Sequence, residues 1–260
     1  MTRERLYLFD TTLRDGALTT GVDFSLDDKR HIAAMLDELG VDYVEGGYPG
    51  ANPLDTKFFE RKPTKRAKFC AFGMTKRAGR SVANDPGVAG LLAADADAIV
   101  FVAKSWDYHV HVALGCTLEE NLDGIRDSVR AAIAAGREAM VDCEHFFDGY
   151  KANPAYALQC AQAAYEAGAR WVVLCDTNGG TLPHEIETIV RGGADDPRPA
   201  ARDSRAQRHR KRHRQFARRG ARGRAPGAGH AERSGRALRQ RQSGLVDPDA
   251  GAETRFRREF

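Results

Sequence analysis

Residues 6–16 read LYLFDTTLRDG, an apolar run closed by an acid, Leu6–Asp10, that passes directly into two hydroxyls, an arginine, a second acid and a glycine. An apolar strand of four to six residues delivering polar groups at its C-terminal end, then a helix, is one βα unit of a parallel sheet. The same unit recurs along the chain. Further β-branched or apolar runs lie at Tyr43–Glu45, Phe69–Phe72, Ala98–Ala103, Ala139–Cys143 and Trp171–Cys175. Helical patterns separate them. Ser25 with Asp28 predicts a helix start, with Ile32, Met35, Leu36 and Leu39 on one face and Gly40 as the stop. Thr117 with Glu120 reads as a second capping box, opening a helix whose stripe is Leu118, Leu122, Ile125, Val129 and Ile133 and which Gly136 closes. Asn153-Pro154 is an N-cap followed by proline at the first helical position, and that helix stops at Gly168. The count is six βα units, two short of the eight that close a (β/α)8 barrel.

In such a barrel the working residues stand at the C-terminal ends of the strands. These ends are rich in polar groups here: Asp10 to Gly16, Glu45-Gly46-Gly47, Lys104-Ser105-Trp106-Asp107, Asp142-Cys143-Glu144-His145, and Asp176-Thr177-Asn178-Gly179-Gly180. Acids, a cation and hydroxyls on one rim suit a hard divalent ion, such as Mg, Mn or Zn, holding an oxygen-rich substrate.

The run FDTTLRDG (9–16) resembles the opening motif of the 2-isopropylmalate, homocitrate and citramalate synthases and the related acyl-CoA lyases. VDYVEGGYPGANPLDT (41–56), KSWDYHV (104–110), EHFFDGYKANP (144–154) and LCDTNGGTLPHE (174–185) are similar to the citramalate synthase branch, and the likeness covers roughly residues 4–191. The resemblance implies a TIM barrel, here cut to about six βα units. It also implies an acyltransferase that condenses acetyl-CoA with pyruvate to (R)-citramalate and CoA, toward isoleucine. Carried over position by position, Asp15 matches the carboxylate ligand of the divalent metal. Arg14 matches the arginine that steadies the oxyanion on the 2-oxo acid, Glu144 the acid or base of the condensation, and Thr177 a hydroxyl contacting the keto acid. Glu45 is assigned to shaping the pocket. Leu18 departs from the family, which carries Gln there. Pyruvate and acetyl-CoA are the implied small-molecule partners and a homo-oligomer the implied assembly; on this reading neither nucleic acid nor a membrane is an expected partner.

Each residue has a plainer alternative. An Arg-Asp neighbour pair is commonly a surface or capping feature, Glu144 a rim carboxylate, Thr177 a turn cap, Asn178-Gly179-Gly180 a tight turn, and His145 a packing residue. His109-Val110-His111 has the spacing that would put two imidazoles on one face of a strand, but it follows strand four, whereas the family's His-x-His belongs to strand seven. Cysteines 70, 116, 143, 160 and 175 lack CxxC spacing, so neither a disulfide framework nor a zinc site is indicated.

The net charge of +4 conceals a boundary. Residues 192–260 hold 19 Lys+Arg and 8 Asp+Glu, a net +11, which leaves −7 for residues 1–191. The division is therefore a partial barrel over 1–191 and an Arg-rich tail over 192–260, too poor in large apolar residues to offset its ordering entropy. The tail also carries a hidden pattern. Asp203–His209, written in codons with the first base dropped, permits Ile-His-Ala-His-Asn-Asp, the family's strand-seven metal motif, and Gly229–Gly244 so treated permits GTLNGLGERCGNANL, its strand-eight loop. A frame slip near Arg191–Gly192 accounts for both. It predicts a chain without the histidine and asparagine ligands, an open barrel exposing strands one and six, and no activity. The arginines beside His209 and His213 would repel a cation. The alternative is a non-catalytic chain whose basic tail binds nucleic acid. With no apolar run near 20 residues and a polar start, the chain is expected to be cytoplasmic.

Overall fold

The computed structural model describes residues 5–191 and the two-residue strand Leu245–Val246; the predicted tail domain, with His209 and His213, otherwise lies outside the described residues. The elements alternate as β1 (Phe9–Asp10), α1 (Leu26–Leu39), β2 (Tyr43–Gly47), α2 (Pro53–Phe58), β3 (Lys68–Met74), α3 (Pro86–Ala93), β4 (Ala98–Lys104), the short turn α4 (Asp107–His109), α5 (Leu118–Ala134), β5 (Glu138–Glu144), α6 (Phe146–Ala152), α7 (Pro154–Glu166), β6 (Trp171–Leu174) and α8 (Pro183–Val190). Strands β1 to β6 pair in sequence order and in parallel, six consecutive staves of a barrel. β7 (Leu245–Val246) runs antiparallel on the outer edge of β6, with Leu245 opposite Val173. The edge of β6 is therefore not bare, as an open barrel would predict. No strand pairs with the other edge of β1 among the described residues.

Strand residues alternate between two faces, and both are buried. Outward residues such as Val44, Phe69, Ile99, Phe101, Val141 and Leu174 join the main core beneath the helices. Inward residues Tyr43, Cys70, Ala98, Val100, Met140 and Trp171 form a second cluster, with Tyr7 and Phe9 against it. That cluster floors the lumen: the rings of Tyr7 and Trp171 lie edge to face at 5.1 Å, and the Trp171 indole N–H donates to the Tyr43 hydroxyl at 3.1 Å. Strands β2 to β6, with Tyr7 and Phe9, thus supply this floor among the described residues.

Three helix readings need correction. The Ser25–Asp28 capping box is present, but α1 turns Lys29, Ala33 and Asp37 inward and leaves Met35 56% and Leu39 78% exposed. At α5, Thr117 accepts from the Glu120 N–H, yet the Glu120 carboxylate does not reach back; it takes the Gly79 N–H at 2.6 Å, tying α5 to the loop after β3. Ile133, the end of the expected α5 stripe, is 43% exposed. The predicted first strand, Leu6–Asp10, is regular over Phe9–Asp10 alone.

Candidate active site

The strand-end residues singled out in the sequence follow the C-terminal ends of β1, β2, β4, β5 and β6, and several of them are bound into two groups. The first is built on β1 and β2. Arg14 sits in a turn closed by N–H donation from Arg14, Asp15 and Gly16 to the Thr11 carbonyl. Its guanidinium donates Nε–H to Glu45 Oε2 at 2.7 Å, contacts Asp15 Oδ1 at 3.3 Å, and lies 4.0 Å over the Phe72 ring. Glu45 is fully buried, and its second oxygen, Oε1, has no hydrogen-bond partner. Burial pushes its carboxyl up from the ordinary range while Arg14 pulls it down, with the upward push prevailing. Asp15 stands beside this pair as an acid facing a cation.

The second group is built on β4, β5 and β6. Glu144 ends β5, beside Lys104 in the β4 register. The Lys104 ammonium pairs with Glu144 Oε2, and the Ser105 hydroxyl donates to the Glu144 carbonyl at 2.7 Å, so the last residue of β4 and the one after it hold the side chain and the backbone of Glu144. The next residue, His145, has a φ of 55°, the single positive value among described non-glycine residues. That conformation turns its N–H onto the Thr177 hydroxyl at 2.9 Å and its Nδ1 to Asp148 at 3.1 Å. Thr177 therefore anchors the β5–α6 corner rather than capping its own turn, which Gly179 closes by donating to the Asp176 carbonyl. His109 packs edge to face on His145 at 4.6 Å and, tilted, against Trp106 at 4.7 Å. It lies on the helical turn after β4, so His109 and His111 do not share a strand face.

Asp142, counted in the sequence among the strand-five rim residues but given no role there, links the two groups. Two residues before Glu144 on β5, it shares the inward face with it, a period-2 relation legible without coordinates. Desolvation, then the charge of Glu45, pushes its carboxyl up to about 7. The folded chain thus holds a proton there that the unfolded chain releases near pH 4, so this contribution to stability is present below pH 4 and lost as pH rises through 7. Asp142→Asn, neutral at every pH, is expected to raise stability at pH 8 by about 2 kcal/mol, on the order of 5 °C, with little gain at pH 4. Thermal unfolding at the two pH values measures it, and an equal effect at both would contradict the assignment.

A cleft of about 570 Å³ opens beside Arg14, between the loop after β1 and the loop after β2, with Leu13, Phe24, Tyr48, Leu54 and Phe72 among its walls. Leu18, at its mouth, is 71% exposed. Lys29 and Asp55 form a buried ion pair there; Lys29 also donates to the Gly46 carbonyl at 3.0 Å, so helix α1 braces the strand segment that carries Glu45. Among the described residues no group of three or more His, Cys, Asp or Glu could hold a metal ion, and no helix is long and apolar enough to cross a membrane.

Comparison with known proteins agrees with this layout. The chain is 52% identical over 191 residues to a protein named (R)-citramalate synthase from Aquifex aeolicus, and as close to one of the same name from Streptomyces coelicolor; each match takes in 72% of this chain and 36% of the relative. The chain thus spans little over a third of the length of these curated relatives. A 2-isopropylmalate synthase from Caldanaerobacter subterraneus is 32% identical over 188 residues, covering 72% of this chain and 46% of its own. Among solved structures, the HMG-CoA lyase of Bacillus subtilis superposes with a TM-score of 0.58 at 18% identity over 72% of this chain and 63% of its own. The lyase of Pseudomonas aeruginosa gives the same score at 17% identity, over 74% and 65%, and these likenesses establish the shared barrel fold. With the HMGL-like family matching residues 5–196, on six parallel staves and a rim of acids around Arg14, the chain belongs to that family.

Proposed function

We propose that this sequence derives from a citramalate synthase, a transferase joining acetyl-CoA to pyruvate to give (R)-citramalate and CoA on the way to isoleucine, and that the chain carries one half of the active site. The observation that carries the reading is the Arg14–Glu45–Asp15 group facing Glu144 across one lumen, in a chain 52% identical to proteins of that name. Arg14, held by Glu45, presents a fixed positive charge where a 2-oxo acid's ketone oxygen gains negative charge as the acetyl carbon adds to it. Glu144, steadied by Lys104 and Ser105, is the group to take the proton from the acetyl methyl; hydrolysis of the thioester then releases CoA. Thr177, fixed by the His145 N–H, offers its hydroxyl to the keto acid, and the apolar cleft beside Arg14 gives one substrate its approach.

In this family a divalent ion (Mg, Mn or Zn) would polarise the ketone. The described residues do not fit it: Asp15 is a lone carboxylate already facing Arg14, and one carboxylate does not define a coordination geometry. The remaining ligands belong to the strand-seven and strand-eight motifs encoded one frame away from residues 203–244, and a frame slip near codon 192 is part of the proposal. DNA sequencing across that codon is expected to show the slip against a frame that reads the motifs; a gene that reads them in no frame would contradict it. In a chain repaired there and supplied with a divalent metal, thiol release from acetyl-CoA is expected with pyruvate and to fall at least tenfold with 2-oxoisovalerate. The reverse order would reassign the chain to a synthase for larger 2-oxo acids.

A further inference from the structure

The loop that follows β3, residues 75–80, has a fixed backbone and exposed cations. The Lys76 N–H donates to the Ser128 hydroxyl of α5 at 2.8 Å, the Arg77 N–H to Asp85, the cap of α3, at 2.8 Å, and the Gly79 N–H to Glu120 of α5 at 2.6 Å. Arg77 and Arg80 are the two ends of a β-turn within it. The Arg80 N–H donates to the Arg77 carbonyl at 3.2 Å, and Gly79 supplies the positive φ, 72°, that a type II turn takes at its third residue. Such a turn holds the Cα atoms of its end residues within about 7 Å, so two exposed arginines stand side by side on a pinned backbone. Neither guanidinium makes an ion pair among the described residues; Arg80 donates once, to the Asn84 carbonyl at 3.3 Å. The neighbouring acids are turned elsewhere. Asp85 also accepts the N–H groups of Gly87 and Val88, and Asp127 pairs with Lys76 at 3.5 Å.

Other cations at the strand ends are committed to carboxylates: Arg14 to Glu45, Lys104 to Glu144, and Lys29, below them, to Asp55. Arg77 and Arg80 keep most of their N–H donors for a ligand, and a pair of guanidinium forks suits phosphate oxygens, which they bind two at a time. Residues 1–191 carry a net −7, so a polyanion approaching this rim needs a local cationic site. The turn also lies at a definite distance from the chemistry. The Phe72 ring lies 4.0 Å under the Arg14 guanidinium, and Arg77 is five residues further along, at most about 18 Å away. The arm of CoA between its sulfur and its diphosphate, a chain with two amide links, is about as long as four extended residues. Tyr48, a wall of the cleft beside Arg14, steadies the start of the loop by accepting the Met74 N–H at 3.4 Å. We propose that Arg77 and Arg80 bind the phosphate groups at the nucleotide end of acetyl-CoA, so that the arm laid back along β3 brings the thioester beside Arg14. The identity of the ligand rests on the citramalate reading.

The test is calorimetric titration of CoA into the 260-residue chain at low salt. Binding is expected, and Arg77→Ala combined with Arg80→Ala is expected to weaken it at least tenfold. Arg30→Ala, at an exposed arginine of α1, is expected to leave it unchanged, which separates the turn from the general positive charge of the chain. Pantetheine, which has the arm and no phosphate, is expected to bind the parent and the double variant equally. Thermal unfolding of the double variant, matching the parent, shows that the substitutions act on binding. The proposal is overturned by absence of CoA binding to the parent chain, by a loss no greater than that of Arg30→Ala, or by inorganic pyrophosphate binding as tightly as CoA, which would make the turn a general anion site. Thiol release from the repaired chain is read separately. Release with no role for the turn removes this site and keeps the citramalate reading; CoA held by the turn without pyruvate-dependent release keeps the site and removes that reading.

Discussion

Arg14→Met is expected to lower the stability of the chain by about 3–5 kcal/mol at pH 8, because it leaves a buried carboxylate without its cation. Glu45 is fully buried, takes its one hydrogen bond from Arg14 and has a second oxygen with no partner, so nothing in the lumen compensates. The loss should depend on pH, with a sign fixed by linkage. Without Arg14, Glu45 in the folded chain holds a proton more firmly than in the unfolded chain, whose carboxyl titrates near pH 4.3. The protonated form is tolerated, so the deficit is small near pH 4 and grows as pH rises through the folded-state value. Replacing both residues, Arg14→Met with Glu45→Met, is expected to recover most of the loss, since an apolar pair carries no desolvation penalty. Urea unfolding of the three chains at pH 5 and 8 measures this. A deficit equal at both pH values, or a double variant no better than the single, would show that Arg14 acts through packing on Phe72 instead.

Gly149→Ala is expected to cost about 3 kcal/mol, a large effect for one methyl group. A Cβ at this position would lie 2.6 Å from the Ser105 carbonyl oxygen and 2.9 Å from the Trp106 Cα, both backbone atoms with little freedom to yield. The close approach of α6 to the end of β4 is also what sets the Ser105 hydroxyl on the Glu144 carbonyl. Alanine there should both destabilise the chain and loosen Glu144. Thermal unfolding reads the first, and in a catalytically competent version a fall in kcat exceeding any rise in KM reads the second. A variant as stable as the parent would mean that the α6–β4 contact is looser than described.

The six βα units were legible because each strand run, cap and stop is local: Ser25 with Asp28, Asn153 before Pro154, and Gly40, Gly136 and Gly168 at positive φ all act within a few residues. The rim was legible because strand ends deliver it, and the first of its two groups forms around Arg14 and Asp15, which the sequence singled out through the FDTTLRDG resemblance. What escaped depends on neighbours distant in sequence. Period 3.6 found the helix α1 but not that Lys29, Ala33 and Asp37 would turn inward while Met35 and Leu39 stay exposed. A Ser/Thr-x-x-Glu pattern found the cap of α5 but not that Glu120 would serve Gly79, 41 residues away. Glu45 was assigned to shaping the pocket, although its ion pair with Arg14 spans 31 residues and makes it the residue on which the arginine depends. Asp142 was readable from its period-2 relation to Glu144, but its elevated carboxyl required the enclosure that only the folded lumen supplies.

The central claim is that this chain holds half of a citramalate synthase site, and that the other half was lost with the reading frame. It is tested most directly by measuring thiol release from acetyl-CoA in the presence of pyruvate and a divalent metal, with the 260-residue chain beside the same chain restored to frame at codon 192. The account predicts pyruvate-dependent release from the restored chain and none above background from the present one. Equal release from both chains would contradict it, because the described residues would then suffice for catalysis; no release from either would remove the condensation itself from the account.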